Sequence, residues 1–271
     1  MRKKKENINF ENIIEQINIV SGDKLLVSSS ILKLLMKLKK KNEKFNSNII
    51  IDSLINKIGS SGTLMFPAFN WNFCKGKDFY YNKTLSMTGS LSNFALKRKD
   101  FKRTKNPIYS FAVTGKDKDY ICNLNHTNCF GLNSPFGYLI KNHGKNLFID
   151  IDYKEGFTFD HVAEETVGVD YRYHKNFTGF YIDKFNEKKK VNYRMYVRDL
   201  SLNVFTGIDK KLDGILYKNK AYEKKIFNGI SFILIDIYQA YQAMVKDLKS
   251  KGGIIYPKKI KSPDDLVTPV R

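Results

Sequence analysis

A histidine and a glutamate that could share a proton lie three residues apart in the segment Asp160-His161-Val162-Ala163-Glu164-Glu165. If this segment is helical, His161 and Glu164 lie on one face. His161 would then occupy the first turn, where the positive helix end keeps the imidazole neutral and able to accept a proton. A nearby carboxylate would fix the tautomer of the ring. The pair predicts general-base chemistry. The same spacing also occurs on helix faces that only meet solvent, so both interpretations stay open on residue types alone.

Three consecutive serines, Ser28, Ser29 and Ser30, follow the apolar run Lys24 to Val27. The run is typical of a buried strand, and residues 31–41 have the spacing of a helix. Free backbone N–H groups and hydroxyls at such a strand-to-helix junction suit a phosphate group. The serines could equally be an ordinary helix cap. Neither of the common glycine-rich nucleotide-binding loops is present in the sequence.

A basic segment runs from Arg103 to Ser110, with further cations just before it at Lys97, Arg98, Lys99 and Lys102. Arginine and lysine side chains on a loop can hold phosphate groups. The alternative is a loop whose cations are simply hydrated. The sequence therefore offers Arg103 and Ser110 as candidate binding residues, together with the three serines.

The cysteines are Cys74, Cys122 and Cys129, an odd number with no regular spacing, which does not suit a disulfide framework. The segment from Cys122 through His126 to Cys129 resembles part of a zinc site. It lacks a paired Cys motif and a clear fourth ligand. We therefore expect no metal site.

Charge is the strongest feature of the composition: 47 Lys and Arg against 27 Asp and Glu give a formal net charge of +20. Such a chain attracts anions, including nucleic acid, acidic membrane surfaces and phosphorylated small molecules. The aromatic and basic stretch 171–177 favours nucleic-acid binding as an alternative function, but no ribonucleoprotein motif accompanies it. The first residues lack an apolar leader, and no apolar run is long enough to span a membrane, so we expect a cytoplasmic protein without membrane contact.

Strand and helix patterns alternate along the chain, and 42% apolar residues suffice for a sizeable core. Strands are predicted at 24–27, 62–67, 147–151 and 254–257. Helices are predicted at 8–20, 31–41, 48–58 and 160–167, the last with Asp160 as its N-cap and Gly168 as its stop. Residues 230–249 suit a helix, or a strand followed by a helix. This order predicts one α/β domain over residues 1–271, with a central mixed sheet flanked by helices and a basic insertion or cap at 176–225.

Read in order, these units resemble the aminoglycoside 3-N-acetyltransferase family. The matching pieces are Leu25-Leu26-Val27-Ser28-Ser29-Ser30, Ile51-Asp52-Ser53-Leu54, Gly62 to Phe69, Arg103 to Ser110 with Gly115, Ser134-Pro135, and Thr158-x-x-His161-x-x-Glu164 followed by Arg172. No single piece is specific, but their order and spacing together are.

The resemblance implies an α/β fold distinct from that of the GNAT acetyltransferases, an acyl-coenzyme A donor and an amino-sugar acceptor. It assigns the catalytic base to His161 and its acidic partner to Glu164. It implies that the serine loop and Ser110 contact the coenzyme. Two positions depart from the family pattern, which usually has histidine where this chain has Ser28 and Asn106. The acyl group and the oligomeric state, including a homo-oligomer, stay open.

The charge of the chain bears on the acceptor. Aminoglycosides are polycations, whereas this chain is strongly basic, also within 176–225. Long-range repulsion would slow the approach of a polycation and favour an anion. The sequence therefore favours a nucleotide-linked amino sugar for surface polysaccharide as acceptor, with an aminoglycoside, and hence antibiotic resistance, as the alternative.

Overall fold

The structure is a computed structural model, and it describes residues 10–40 and 46–259. Its strands are β1 (Lys24–Ser29), β2 (Thr63–Pro67), β3 (Phe79–Tyr80), β4 (Lys102–Arg103), β5 (Phe111–Gly115), β6 (Lys145–Ile149), β7 (Arg172–Ile182), β8 (Lys188–Arg198), β9 (Val204–Ile208), β10 (Tyr222–Phe227), β11 (Ile230–Asp236) and β12 (Ile255–Lys259). Its helices are α1 (Phe10–Glu15), α2 (Leu32–Lys40), α3 (Ser47–Ile58), α4 (Ser90–Lys97), α5 (Lys118–Asn123), α6 (Pro135–Lys141), α7 (Tyr153–Gly156), α8 (Phe159–Val167), α9 (Lys211–Lys218) and α10 (Ile237–Ser250).

Seven strands form the central sheet in the order β10-β11-β6-β1-β2-β5-β4. The strand β1 runs parallel to β2 and β6, whereas β5 and β11 extend the sheet on either side as antiparallel partners. This is the predicted mixed sheet in an α/β domain. The central strands are continuous apolar runs because helices cover both of their faces.

The two faces of the sheet carry separate cores, since successive strand residues point to opposite sides. Leu25 and Val27 of β1 pack with α1, α3 and α4, whereas Leu26 packs on the other side with α6, α8 and α10. The chain therefore places α8, which carries His161, on the second face. Among the described residues, no helix is long and apolar enough to cross a membrane.

A long antiparallel hairpin, β7 and β8, projects from the sheet and pairs from Arg172 with Arg198 to Ile182 with Lys188. The short strand β3 runs parallel beside β7. The hairpin begins before the predicted cap boundary of 176, and β10 at its far boundary belongs to the central sheet. The range 176–225 therefore combines part of a hairpin, the strand β9, the helix α9 and part of the edge strand β10 of the central sheet. Alternating hydrophobicity does not reveal which sheet a strand joins.

The observed ends of helices agree with the predicted ends where the sequence has a clear capping residue. The helix α3 ends at Gly59 as predicted, with the Gly59 N–H donating to Ile55 O. Residues 230–249 form the predicted strand and helix as β11 and α10. The predicted ends at residues 1–9, 41 and 260–271 lie outside the described residues.

Candidate active site

The helix α8 brings the predicted acid–base pair together. Its buried residues include Phe159, Val162 and Ala163, so this face is fixed in the core. Gly168 ends the helix in the left-handed conformation, with φ of 71°. The N-cap is Thr158 and not Asp160 as predicted. Asp160 lies within the first turn, where its Oδ1 accepts a hydrogen bond from the His161 backbone N–H at 2.7 Å.

His161 and Glu164 are in hydrogen-bond contact. Nδ1 of His161 lies 3.0 Å from Oε2 of Glu164. The Glu164 side chain is completely buried, whereas that of His161 is 27% exposed. The ring of Phe130 packs edge-on against the imidazole, with centroids 5.4 Å apart. We assign the proton to Nδ1 because carboxylate oxygens of Glu164 and Asp160 lie 3.0 and 3.2 Å from it, and this assignment leaves Nε2 as the proton acceptor of the ring.

Arg172, the first residue of β7, completes this cluster, and sequence reasoning assigned it no role. Its Nε lies 2.7 Å from Oε2 of Glu164, and its side chain is only 8% exposed. A terminal guanidinium nitrogen lies 3.1 Å from Nδ1 of His161. Burial opposes ionisation of Glu164, but the hydrogen bond and charge of His161 and the charge of Arg172 lower its pKa overall. The only signal in the sequence was that an arginine follows the His–Glu motif.

Asp160 adds a second carboxylate to the cluster. Its Oδ1 lies 3.2 Å from Nδ1 of His161. Burial raises the pKa of Asp160, and the charge of Glu164 raises it further, although His161 opposes this. Asp160, His161 and Glu164 offer ligand atoms within 4.8 Å of one another, a set that could hold a metal ion. The guanidinium of Arg172 already neutralises Glu164 at 2.7 Å, and its charge would repel a cation there.

The suggested zinc segment has other partners. His126 Nδ1 lies 2.8 Å from the carbonyl oxygen of Asn128. Burial raises the pKa of the Cys122 thiol to about 12 and that of Cys129 still further. Within the part of the chain that the structure describes, these residues do not form a cluster of candidate metal ligands.

The serine loop starts later than predicted, because β1 continues to Ser29. Ser28 and Ser29 pair in parallel register with Phe148 and Ile149 of β6, and the Ser30 N–H donates to Ile149 O at 2.8 Å. Ser28 is 8% exposed. The serines therefore lie at the carboxyl end of β1, where ligands commonly bind in open α/β sheets.

The two residues predicted to bind the coenzyme from the basic segment, Arg103 and Ser110, are both buried. Arg103 is 4% exposed and Ser110 is completely buried. The Arg103 guanidinium donates to Ser110 Oγ at 2.9 Å, to Ala68 O at 3.1 Å and to Thr84 O. Burial lowers the pKa of Arg103 to about 10. This arginine joins three chain segments in the interior, and most of its donors are used by acceptors of the protein itself.

Asn106 shapes the turn that follows β4. Its side-chain oxygen accepts from the backbone N–H groups of Ile108 and Tyr109, both at 2.9 Å. Its amide nitrogen lies 3.6 Å from Cys129 Sγ. Asn106 is completely buried. The residue in place of the family's histidine therefore has a structural function in this chain.

His161 opens onto a cavity of about 680 Å³ bounded by the start of β7, the end of β8 and the segment that follows. Three cationic side chains line it, Arg172, Lys175 and Arg198, with one carboxylate, Asp199. The Asp199 carboxylate accepts from the backbone N–H of Ser201 at 2.9 Å. The cavity at His161 is therefore large enough for a sugar ring. Because Arg172 is paired with Glu164, the other charges in its lining are those of Lys175, Arg198 and Asp199.

Comparisons with known proteins agree with this architecture. The family model for aminoglycoside 3-N-acetyltransferase matches residues 26–249. Among solved structures, aminoglycoside acetyltransferase AAC(3)-Xa is similar, with a TM-score of 0.73, 15% identity, and coverage of 89% of this chain and 92% of that one. AAC-IIIb in binary complex with CoASH gives a TM-score of 0.71, 15% identity and coverage of 94% and 97%. AAC-VIa bound to sisomicin gives a TM-score of 0.71 and 13% identity, with coverage of 89% of this chain and 96% of that one.

A sequence search of curated proteins finds no match. At these identities the structural likeness establishes the fold, which is that of the AAC(3) enzymes and not of the GNAT enzymes. The family model covers most of the chain. The chain therefore belongs to the aminoglycoside 3-N-acetyltransferase family.

Proposed function

We propose that this protein transfers an acetyl group from acetyl-coenzyme A to an amine of an aminoglycoside, with His161 as the general base. The observation that carries the proposal is the contact of 3.0 Å between His161 Nδ1 and the buried Glu164 carboxylate, in a cavity large enough for a sugar. Membership of an acetyltransferase family supports the same reaction and favours an enzyme over a nucleic-acid-binding protein.

His161 would act on the amine of the acceptor. An ammonium group cannot attack a thioester, so the acceptor first loses one proton to water and reacts as its free amine. Nε2 then takes one of the two remaining amine protons as the nitrogen attacks the acetyl carbonyl. The N–C bond forms, the C–S bond breaks, and the proton returns from Nε2 to the departing thiolate. Glu164 holds the ring through Nδ1 and stabilises the imidazolium that forms in between.

The cysteines suit direct transfer and not a covalent acetyl-enzyme. A nucleophilic cysteine reacts as its thiolate. Burial raises the pKa of Cys74 to about 11 and that of Cys122 to about 12, and it raises that of Cys129 as well. These thiols are therefore protonated at neutral pH, and no covalent intermediate is required of them.

Coenzyme A would supply the activated acetyl group, as the relative solved with CoASH suggests. The serine loop fits such a ligand by its chemistry, because it offers hydroxyls at the carboxyl end of a central parallel strand. The opposing segment comes very close there: a side chain at Gly89 would place its Cβ 3.1 Å from Ser29 O. Gly89 has φ of 118°, so glycine is favoured at this position. We retain Ser28, Ser29 and Ser30 as proposed coenzyme contacts, and we place less weight on Arg103 and Ser110 because both are buried.

The comparisons favour the aminoglycoside over the nucleotide-linked amino sugar that the net charge suggested. The matching family and the relative solved with sisomicin both point to aminoglycosides. The second candidate keeps one observation in its favour, namely that Lys175 and Arg198 outnumber Asp199 around the cavity once Arg172 is counted with its partner Glu164. An anionic amino sugar would suit that local field better than a polycation.

A thiol-release assay with acetyl-coenzyme A tests both candidates. We expect turnover with a panel of aminoglycosides and compare kcat/KM with that for nucleotide-linked 3- or 4-amino sugars. Turnover of nucleotide-linked sugars alone would replace the first acceptor by the second. Absence of thiol release with either class would contradict the proposed reaction.

A further inference from the structure

A second cavity, of about 790 Å³, lies beside the edge strand β4 and the turn end of the β7–β8 hairpin. We name it the lysine cleft after six lysines in its lining, which also includes the largely buried Arg103: Lys83, Lys97, Lys102, Lys105, Lys184 and Lys189. No residue lines both this cleft and the cavity at His161. Its volume is in the range of small-molecule sites in proteins.

Positively charged side chains in the lining of the cleft outnumber the carboxylates. Asp119 and Asp183 are the two carboxylates in its lining. Asp119 forms an ion pair with Lys102. The Asp183 carboxylate accepts from two backbone N–H groups, those of Phe185 at 2.8 Å and Glu187 at 3.0 Å. Both carboxylates are thus engaged within the protein, and Lys189 forms an ion pair with Glu187 at 3.0 Å. The other four lysines give the cleft the field of an anion site.

Apolar and aromatic side chains also line the cleft. They include Leu85, which is 61% exposed, and the buried ring of Phe101. The ring of Tyr181 stacks on Phe79 with centroids 5.2 Å apart. Burial raises the pKa of Tyr81 and of Tyr181, so these phenols add no negative charge at neutral pH. A lining that is partly apolar and partly cationic suits a molecule with a flat organic body and several negative charges.

The lysine cleft lies close to the cavity at His161. Tyr193 lines the lysine cleft, and Phe177 lines the cavity at His161. These two residues are direct partners in the hairpin register, so their side chains lie on the same face. The two cavities are therefore neighbours along one face of the hairpin.

We propose that the lysine cleft binds a nucleoside diphosphate group, with the base on the aromatic and aliphatic side chains and the phosphates on the lysines. A pyrophosphate requires several cations, and a base requires a flat apolar surface, and the cleft offers both. Two molecules could supply this group: the ADP half of the coenzyme, or a separate nucleotide, free or linked to an amino sugar. Binding itself does not depend on the reaction, but the assignment of the nucleotide to a substrate rests on the proposed function.

Charge reversal in the cleft tests the proposal. The variant Lys97→Glu/Lys184→Glu changes two lysines of the cleft, and Lys141→Glu/Lys218→Glu makes the same change in net charge at exposed lysines outside the cleft. ADP and UDP are titrated by calorimetry, with adenosine as the probe without phosphate. We expect the dissociation constant of ADP or UDP to rise by roughly tenfold or more in the cleft variant, because charge-assisted hydrogen bonds are lost. The control variant should bind like wild type.

Steady-state kinetics identify the source of the nucleotide. If the group belongs to the coenzyme, the cleft variant raises KM for acetyl-coenzyme A and not for acetyl-pantetheine, which has no nucleotide. If the nucleotide is separate, ADP or UDP binding weakens while both KM values stay unchanged. Charge-dependent nucleotide binding without any acetyl transfer would support the cleft and count against the proposed function. The cleft proposal is overturned if wild type binds neither ADP nor UDP at millimolar concentration, or if the cleft and control variants bind them equally.

Discussion

The ion pair between Glu164 and Arg172 should make stability and activity respond differently to mutation. Glu164 is completely buried and Arg172 is 8% exposed, with Nε 2.7 Å from Oε2. Removing one partner of a buried pair leaves an uncompensated charge, which costs about 3–5 kcal/mol. Each residue keeps other contacts, since Glu164 still meets His161, and Arg172 still donates to Tyr196 O at 3.3 Å. We therefore expect Glu164→Gln and Arg172→Met each to lose roughly 3 kcal/mol, at the lower end of that range.

The double variant Glu164→Gln/Arg172→Met removes both charges. Its free energy of unfolding should fall by less than the sum of the single losses, with a coupling of roughly 2–3 kcal/mol. Its activity should not recover. The side-chain amide introduced by Glu164→Gln can donate to Nδ1, which would leave the proton on Nε2 and block proton acceptance, and a wrong tautomer costs up to ~10⁴-fold in kcat in a comparable His–carboxylate pair.

Urea denaturation and the thiol-release assay measure the two properties on the same four proteins. A matched cycle on Lys188 and Asp78, a pair 2.9 Å apart with side chains 52% and 28% exposed, serves as control. Exposed pairs contribute about 0–1 kcal/mol, so this control cycle should be nearly additive. If the losses at Glu164 and Arg172 simply add, or if the double variant regains activity, then the pair does not act as described.

Two further predictions concern the His161–Glu164 site, and a third concerns the buried side chain of Asn106. His161→Ala should lower kcat by ~10²–10⁴-fold. It should also cause a modest loss of thermal stability, because the buried Glu164 loses one hydrogen-bond partner but keeps Arg172. Turnover near that of wild type would remove His161 as the base. The folded-state pKa of Glu164 is lowered, so its contribution to stability is complete above its unfolded pKa of about 4.3 and is lost as the pH falls through the folded value. Melting temperatures between pH 3 and 7 should show this loss in wild type and not in Glu164→Gln. The pKa of Asp160 is raised, so its effect on the pH dependence of stability has the opposite sign. The comparison is therefore repeated in proteins that also carry Asp160→Asn. Asn106→Ala should destabilise the protein by about 1–3 kcal/mol, since two buried backbone N–H groups lose their acceptor, whereas Asn106→Asp should lose less in urea denaturation; equal loss in both would contradict the role of the side-chain oxygen.

Local patterns in the sequence predicted much of the fold. The apolar run at Leu25 to Val27 predicted a buried strand, and Gly59 and Gly168 predicted helix ends. These signals need only neighbouring residues, because helix periodicity, strand hydrophobicity and glycine conformation act over a few positions. Because these signals are local, they predicted the end of β1 two residues too early. Ser29 has the residue type of a loop, but its pairing with Ile149 of β6 keeps it in the sheet.

For the candidate site too, local sequence determined some contacts and the tertiary structure decided the others. The sequence by itself determined that His161 and Glu164 meet, because one helical turn separates them and the apolar residues between them fix which face is buried. Only the tertiary structure decided that Arg172 neutralises Glu164 and that Arg103 is buried among carbonyls of distant segments. It also decided that lysines from separate segments face one cleft. Charge type can be read from a sequence, but the partner of a charge and its exposure to water depend on how distant segments pack, and local spacing does not specify that packing.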